Sequence, residues 1–330
     1  MTQETLDVVG IGNAIVDVIA PCEDAFLIRH DLPKGAMKLI DEAEAEALYN
    51  DMPPGQESSG GSAANTIAGI AALGGRCGFI AKVRDDQLGQ VFRHDMTSLG
   101  VTFPTAAAAD GPATARCLIL VTPDAQRTMN TYLGASQHLG PDDVEEDLIA
   151  SAKITYLEGY LWDPQEAKEA FRKAAALAHK HGRKVALSLS DSFCVDRHRA
   201  DFLDLIASEV DILFANEAEI TSLYEVKDFD SALQLVRGHT KVAALTRSEK
   251  GSVVLSGDEL HVVDADKVSR IVDSTGAGDL YAAGFLYGLG KGEPLVQCGR
   301  RGAIAAGEVI SHFGARPEAD LKTLMTSRLG

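Results

Sequence analysis

Positive charge is in short supply in this chain: 31 lysines and arginines face 48 aspartates and glutamates, a formal net charge of −17 over 330 residues. Nucleic acid and anionic membrane both require a basic surface, so neither is an expected partner. Cysteine is scarce as well. Cys22, Cys77, Cys117, Cys194 and Cys298 are odd in number, scattered, and never spaced as C-x-x-C. That argues against a disulfide framework or a zinc site and points to free thiols in a reducing cytoplasm. No apolar run is long enough to span a bilayer, and Met1 to Asp7 carries neither the basic nor the apolar stretch of a secretory signal. The phosphate-loop pattern G-x-x-x-x-G-K-[ST] is missing. So are internal repeats, low-complexity tracts and linkers, which leaves one domain over residues 1–330.

What is present reads as a globular α/β protein. Hydrophobic residues make up 45% of the chain, enough for a sizeable core. Short β-rich runs (6–11, 79–83, 153–157, 184–189, 210–215, 242–246) alternate with helical patterns such as 62–73, 87–99 and 164–181. This is the rhythm of a mostly parallel sheet covered on both faces. Two stretches break it: a hairpin pattern over 115–121 and 127–133, and an isolated run at 34–40. A small β-lid, drawn from about 15–50 and 104–134 and set on the larger body, accounts for both.

The strongest chemical signal is Asp273-Ser-Thr-Gly-Ala-Gly-Asp279, which leads into an apolar helix. A glycine turn at a helix N-terminus exposes unpaired backbone N–H groups in a positive dipole field, which suits a phosphoryl group. An aspartate in that first turn is placed to take a proton from an attacking hydroxyl; alone, it would more often merely stabilise the helix end. Ser58-Ser-Gly-Gly-Ser-Ala-Ala-Asn65 is the second signal, with glycines that let a ligand approach the backbone and an asparagine able to donate and accept. Gly10-Ile-Gly12 imitates a dinucleotide fingerprint without its third glycine. Asn13 and Asp17 are read instead as lying past the end of the first strand, where open α/β sheets bind ligands.

These motifs, with Asn216-Glu-Ala-Glu219 and Thr246-Arg-Ser-Glu-Lys-Gly251, resemble the ribokinase-like (PfkB) carbohydrate kinases, in the family's order and over nearly the whole chain. The resemblance implies a three-layer α/β/α sandwich with a mostly parallel sheet and a β-sheet lid, and ATP with Mg²⁺ as phosphoryl donor. It makes Asp279 the catalytic base and gives the amides of Gly276, Ala277 and Gly278 the anion hole. It places Asn216 and Glu219 at the phosphates and a hydrated Mg²⁺, and Thr246, Ser248 and Gly251 at the nucleotide. It also suggests a monovalent cation, potassium, beside Asp273 and Thr275.

On the acceptor side, Asn13, Asp17, Gly61, Ser62 and Asn65 are expected to bind the hydroxyls of a ribose. GIGNAIVDV, LPKGAMKLID and GYLWDP look most like the adenosine-kinase-like bacterial branch. That resemblance brings in Met37 and Tyr160 for a base and Arg127 for phosphate charge, while Trp162 reads as packing. The expected reaction is transfer from ATP to a ribonucleoside 5′-hydroxyl, most simply that of adenosine. A ribokinase, fructokinase or ketodeoxygluconate kinase is the alternative, followed by a non-catalytic nucleoside sensor and, more remotely, an NAD-dependent oxidoreductase. Whether the chain is a monomer or a homodimer is left open.

Overall fold

The computed structural model describes residues 5–124 and 126–329; Met1 to Glu4, where a signal sequence was not expected, and Ala125 in the expected hairpin turn lie outside them. Thirteen strands occur among the described residues. The first seven are β1 (Leu6–Ile11), β2 (Ile15–Pro21), β3 (Met37–Leu39), β4 (Gln56–Gly60), β5 (Cys77–Ile80), β6 (Ala115–Val121) and β7 (Arg127–Tyr132). The rest are β8 (Ala152–Glu158), β9 (Lys184–Ser188), β10 (Ile212–Asn216), β11 (Val242–Thr246), β12 (Ser252–Ser256) and β13 (Glu259–Val263).

Eight of them form one sheet in the order β13-β12-β11-β10-β9-β8-β1-β5. From β11 to β5 every pairing is parallel, and only β12 and β13 run antiparallel at one edge. Side chains alternate across a strand, so β1 feeds two cores. Val8 joins Ile67, Leu280 and Phe285 on one face, whereas Val9 and Ile11 join Phe171, Phe202 and Leu233 on the other. Helices supplying those residues cover both faces, as a parallel sheet requires. The expected α/β/α sandwich is therefore found.

A second sheet takes the order β3-β7-β6-β2-β4. Direct cross-strand pairing puts Asp17, Cys117 and Thr131 in one row of one face, with Ile19, Ile119, Met129 and Met37 in the next row and Arg127 beyond. The chain passes from β1 straight into β2 without a helix, so the fragment of a dinucleotide fingerprint at Gly10-Ile-Gly12 has no βαβ unit behind it, as expected. Asp17, expected just past the end of the first strand, sits inside β2. Strand β4, outside the stretches expected for the lid, completes this sheet beside β2; its polar Gln-Glu-Ser-Ser-Gly sequence has little β signal.

Candidate active site

Two helices start at the same end of the molecule and run side by side: Ser62–Ala72 and Ala277–Gly290. Small residues let them close up. A Cβ placed on Gly69 would come within 2.7 Å of both Ala283 and Leu280, so this crossing excludes larger side chains. The close approach carries the first turns of the two helices together. Asp279 accepts hydrogen bonds from Ser62 Oγ at 2.6 Å and Asn65 Nδ2 at 3.0 Å. Thr66 Oγ1 donates to the Asp279 carbonyl at 3.1 Å. Asn65 is buried and its Oδ1 has no partner among the described residues. Its donor end is spent on Asp279, which leaves the acceptor end for a hydroxyl.

Backbone geometry prepares both turns. Gly61 has φ 96° and a Cβ there would meet the Asn13 carbonyl at 2.5 Å; Gly276 caps its helix with φ 78°. Only glycine adopts such angles without strain. The Ala277 amide turns back to the Ser274 carbonyl at 3.2 Å. The amides of Gly276 and Gly278 have no acceptor among the described residues, and a Cβ on Gly278 would face open space. These donors at the positive end of a fourteen-residue helix form a cradle for an anion.

Carboxylates dominate the rest of the cleft. Burial raises the pKa of Asp279, against the opposing hydrogen bonds of Ser62 and Asn65 and the charge of Arg316. Burial likewise lifts Asp17 to about 6, against Arg316 and Arg127. Glu158, at the end of β8, is almost fully buried. It accepts from Asn13 Nδ2 at 2.6 Å and from the Ala63 amide at 2.7 Å, and burial pushes its pKa to about 7. Asn13 meanwhile accepts from Ser136 Oγ at 2.9 Å, so both ends of its amide are spent on protein groups.

On the nucleotide side, Asn216 and Glu219 form a reciprocal capping box, with both exchanges at 2.9 Å. Glu219 is buried, and burial with the charges of Asp191 and Asp279 raises it to about 7. Thr246 pairs with Asn216 in register, and Ser248 and Gly251 form the turn that follows β11. Arg127 reaches from the second sheet to Asp273 and lies 3.2 Å from Thr275 Oγ1. Thr275 Oγ1 also donates to Asp273 at 2.6 Å. Arg127 thus supplies the positive charge beside the pair expected to hold potassium. Tyr160 is partly exposed, and its hydroxyl is raised by burial and by Asp191, Asp279, Glu219 and Glu158. Met37 lies on the outermost strand of the second sheet with half its surface exposed. Trp162 is fully buried against Phe171 and Phe202, and its Nε1 donates to Asp201 at 3.0 Å, which is the packing role expected.

Among the described residues no three metal-ligating side chains converge tightly enough to cage an ion. The charges of Asp191 and Asp279 bear on the buried Glu219 carboxylate, a setting that a hard divalent cation relieves. Glu219 and Asp191 fit Mg²⁺ bound largely through phosphate and water. Sequence reading missed Glu158, Asp191, Ser136 and Arg316. A charged residue closing the apolar run of β8 was the one available signal for Glu158; Asp191 is the N-cap of the helix Ser192–Ser208, and Arg316 lies in a loop with no pattern.

The family model described as pfkB family carbohydrate kinase matches residues 37–322. The crystal structure of adenosine kinase from Sinorhizobium meliloti is 54% identical, with a TM-score of 0.90 over 98% of this chain and 99% of that one. A probable sugar kinase from Rhizobium etli is 51% identical, with a TM-score of 0.91 over the same shares. The 5-dehydro-2-deoxygluconokinase of Geobacillus thermodenitrificans is 28% identical over 263 residues, 76% of this chain and 78% of that protein. Among the described residues no helix is long and apolar enough to cross a membrane.

Proposed function

The chain belongs to the pfkB family of carbohydrate kinases, and from that premise we propose that it transfers the γ-phosphoryl group of ATP to the 5′-hydroxyl of a ribonucleoside, adenosine in the first instance. The observation that carries this reading is the Ser62–Asp279–Asn65 cluster, taken with the apolar row Ile19, Ile119, Met129 and Met37 on the face of the second sheet that carries Asp17 and Arg127. The polar cluster suits a ribose, and the apolar row with Tyr160 offers a flat base the surface a free pentose would not need. A sugar acid is disfavoured. Asp17, Glu158 and Asp279 gather on the acceptor side, while Arg127 is engaged by Asp273 and Arg316 by backbone carbonyls.

In the proposed reaction Ser62 and Asn65 hold the Asp279 carboxylate toward the acceptor. Asp279 takes the 5′-hydroxyl proton as that oxygen bonds to the γ-phosphorus, and the bond from phosphorus to the β-phosphate oxygen breaks to release ADP. Burial that raises the Asp279 pKa makes it a better proton acceptor. The amides of Gly276 and Gly278 stabilise charge on the transferring group. Glu219, Asn216 and Asp191 would hold Mg²⁺ through water, and the ion would neutralise phosphate charge. Movement of the second sheet toward the body would exclude water from the bound pair.

The likeness to 5-dehydro-2-deoxygluconokinase supports a second reading, with a free sugar or sugar acid as the acceptor. ADP release from Mg-ATP with adenosine, inosine, guanosine, ribose, fructose and ketodeoxygluconate separates the two readings. A strong preference for adenosine is expected; a preference for a free sugar would overturn the acceptor and leave the kinase. Asp279→Asn should lower turnover by about 10²–10⁴-fold with little change in acceptor binding. Near-normal turnover would remove Asp279 as the base.

A further inference from the structure

The segment between the last two helices, residues 310–320, runs beneath both glycine turns. Glu308 fastens it: Oε1 accepts from the amides of Glu318 and Ala319 at 3.0 and 2.8 Å and lies 3.2 Å from His312 Nε2. Between those anchors, three successive residues touch both halves of the site. The Gly314 amide donates to Asp273 at 3.0 Å. Ala315 packs so closely on Gly276 that a Cβ there would lie 2.8 Å from the alanine methyl. Arg316 then crosses to the other turn. Its Nη1 donates to the Ala64 carbonyl at 2.8 Å, and Nη2 and Nε donate to the Ser59 carbonyl at 2.9 and 3.2 Å. Nη2 also reaches Ser59 Oγ at 3.1 Å.

Ser59 and Ala64 bracket the turn that presents Ser62, and Asn65 follows directly. The guanidinium therefore holds this turn like a staple, with a planar fork that lysine cannot reproduce. Among the described residues Arg316 forms no ion pair, so its charge is left to act across the cleft on Asp17, Asp279 and Asp95. Burial lowers its own pKa only to about 10, and it stays charged at neutral pH.

We infer that Arg316 is a positioning residue for phosphoryl transfer, fixing the turn that aims Ser62 and Asn65 at Asp279 and keeping the Asp279 and Asp17 carboxylates ionised. The inference rests on Asp279 being the base. Facing Asp279 are the neutral donors Ser62 and Asn65 of the neighbouring helix, Tyr156 and Glu158 of β8, Tyr160 just beyond that strand, and Glu219 from the nucleotide side. Against this set of acids and donors, Arg316 is the cation that acts on Asp279. Asp17 faces Arg127 and Arg316. Withdrawing the Arg316 charge makes each carboxylate harder to ionise, so the acidic limb of the rate profile moves to higher pH.

The test is kcat/KM against pH for wild type, Arg316→Gln and Arg316→Lys, using Mg-ATP with whichever of adenosine or ribose the wild type prefers. Arg316→Gln should lower kcat/KM for the acceptor by about 10–100-fold and raise the acidic limb by about one pH unit, while KM for ATP holds. Arg316→Lys should keep the limb in place and recover only part of the rate. An unmoved limb in the glutamine variant, with equal loss at every pH, would overturn the electrostatic role. Wild-type rate in the lysine variant would overturn the positioning role, and this variant decides if circular dichroism shows the glutamine protein unfolded. Asp279→Asn keeps the two readings apart. Retained turnover there defeats the base itself, whereas an inactive Asp279→Asn beside an unaltered Arg316→Gln defeats this inference alone.

Discussion

Replacing Glu158 by glutamine reads directly on how the acceptor side is held together. The wild-type carboxylate accepts from the Ala63 amide and from Asn13, yet burial raises its pKa from the ordinary 4.5 to about 7. A carboxylate raised in the fold stabilises it below the unfolded pKa and loses that contribution as pH climbs through the folded one. A shift of this size corresponds to about 3 kcal/mol, lost between about pH 4.5 and about pH 8. Glutamine cannot ionise and is spared that loss. Its NH₂, however, must face either Asn13 or the Ala63 amide, donor against donor, at about 1–3 kcal/mol whatever the pH. The variant should therefore unfold at a lower temperature than wild type near about pH 5, and the gap should close or reverse by about pH 8. At about 2 °C per kcal/mol for a chain this large, the difference in Tm should swing by about 4–6 °C across the range. Scanning calorimetry of both proteins at matched pH values measures it. A difference that stays constant with pH would refute the reasoning, because Glu158 would then be ionised in the fold at no cost.

Two further substitutions test how packing serves the site. Gly69→Val forces a branched side chain against Ala283 and Leu280, and should destabilise by about 1–3 kcal/mol in urea unfolding. By parting the helices it should also lower kcat more than it raises KM for ATP; unchanged kcat in a folded variant would show that the crossing does not set the Asn65–Asp279 distance. Trp162→Phe removes the bond to Asp201 and leaves a small void, for about 1–3 kcal/mol of stability and no change in acceptor preference. A selective rise in KM for a nucleoside would instead move Trp162 into the binding site.

Much of the body could be read from local pattern. The runs 6–11 and 242–246 are strands β1 and β11 as expected, because a strand buried on both faces is a short block of apolar residues. Gly182, with φ 66°, stops the helix Gln165–Lys180 where its residue type suggests. Strand β4 escaped because Gln56-Glu57-Ser58-Ser59 has no β-branched or aromatic residue, and its pairing with β2 is decided in three dimensions. Asp279 stood out because its chemistry and its turn are contiguous in sequence. Its partners were half legible: Ser62 and Asn65 lie in a glycine motif of their own, but their bonds to Asp279 span more than two hundred residues. Arg316 gave no sign at all, since its partners are backbone carbonyls, which every residue type possesses.

The strap at Gly314 to Arg316 also has a meaning in time. A ribosome delivers Asn65 early and Arg316 about 250 residues later, a delay of roughly 10–50 s at ordinary elongation rates. Asp279 precedes Arg316 on the chain, so the bonds from Ser62 and Asn65 to Asp279 become available before the guanidinium that holds the Ser59–Ala64 turn.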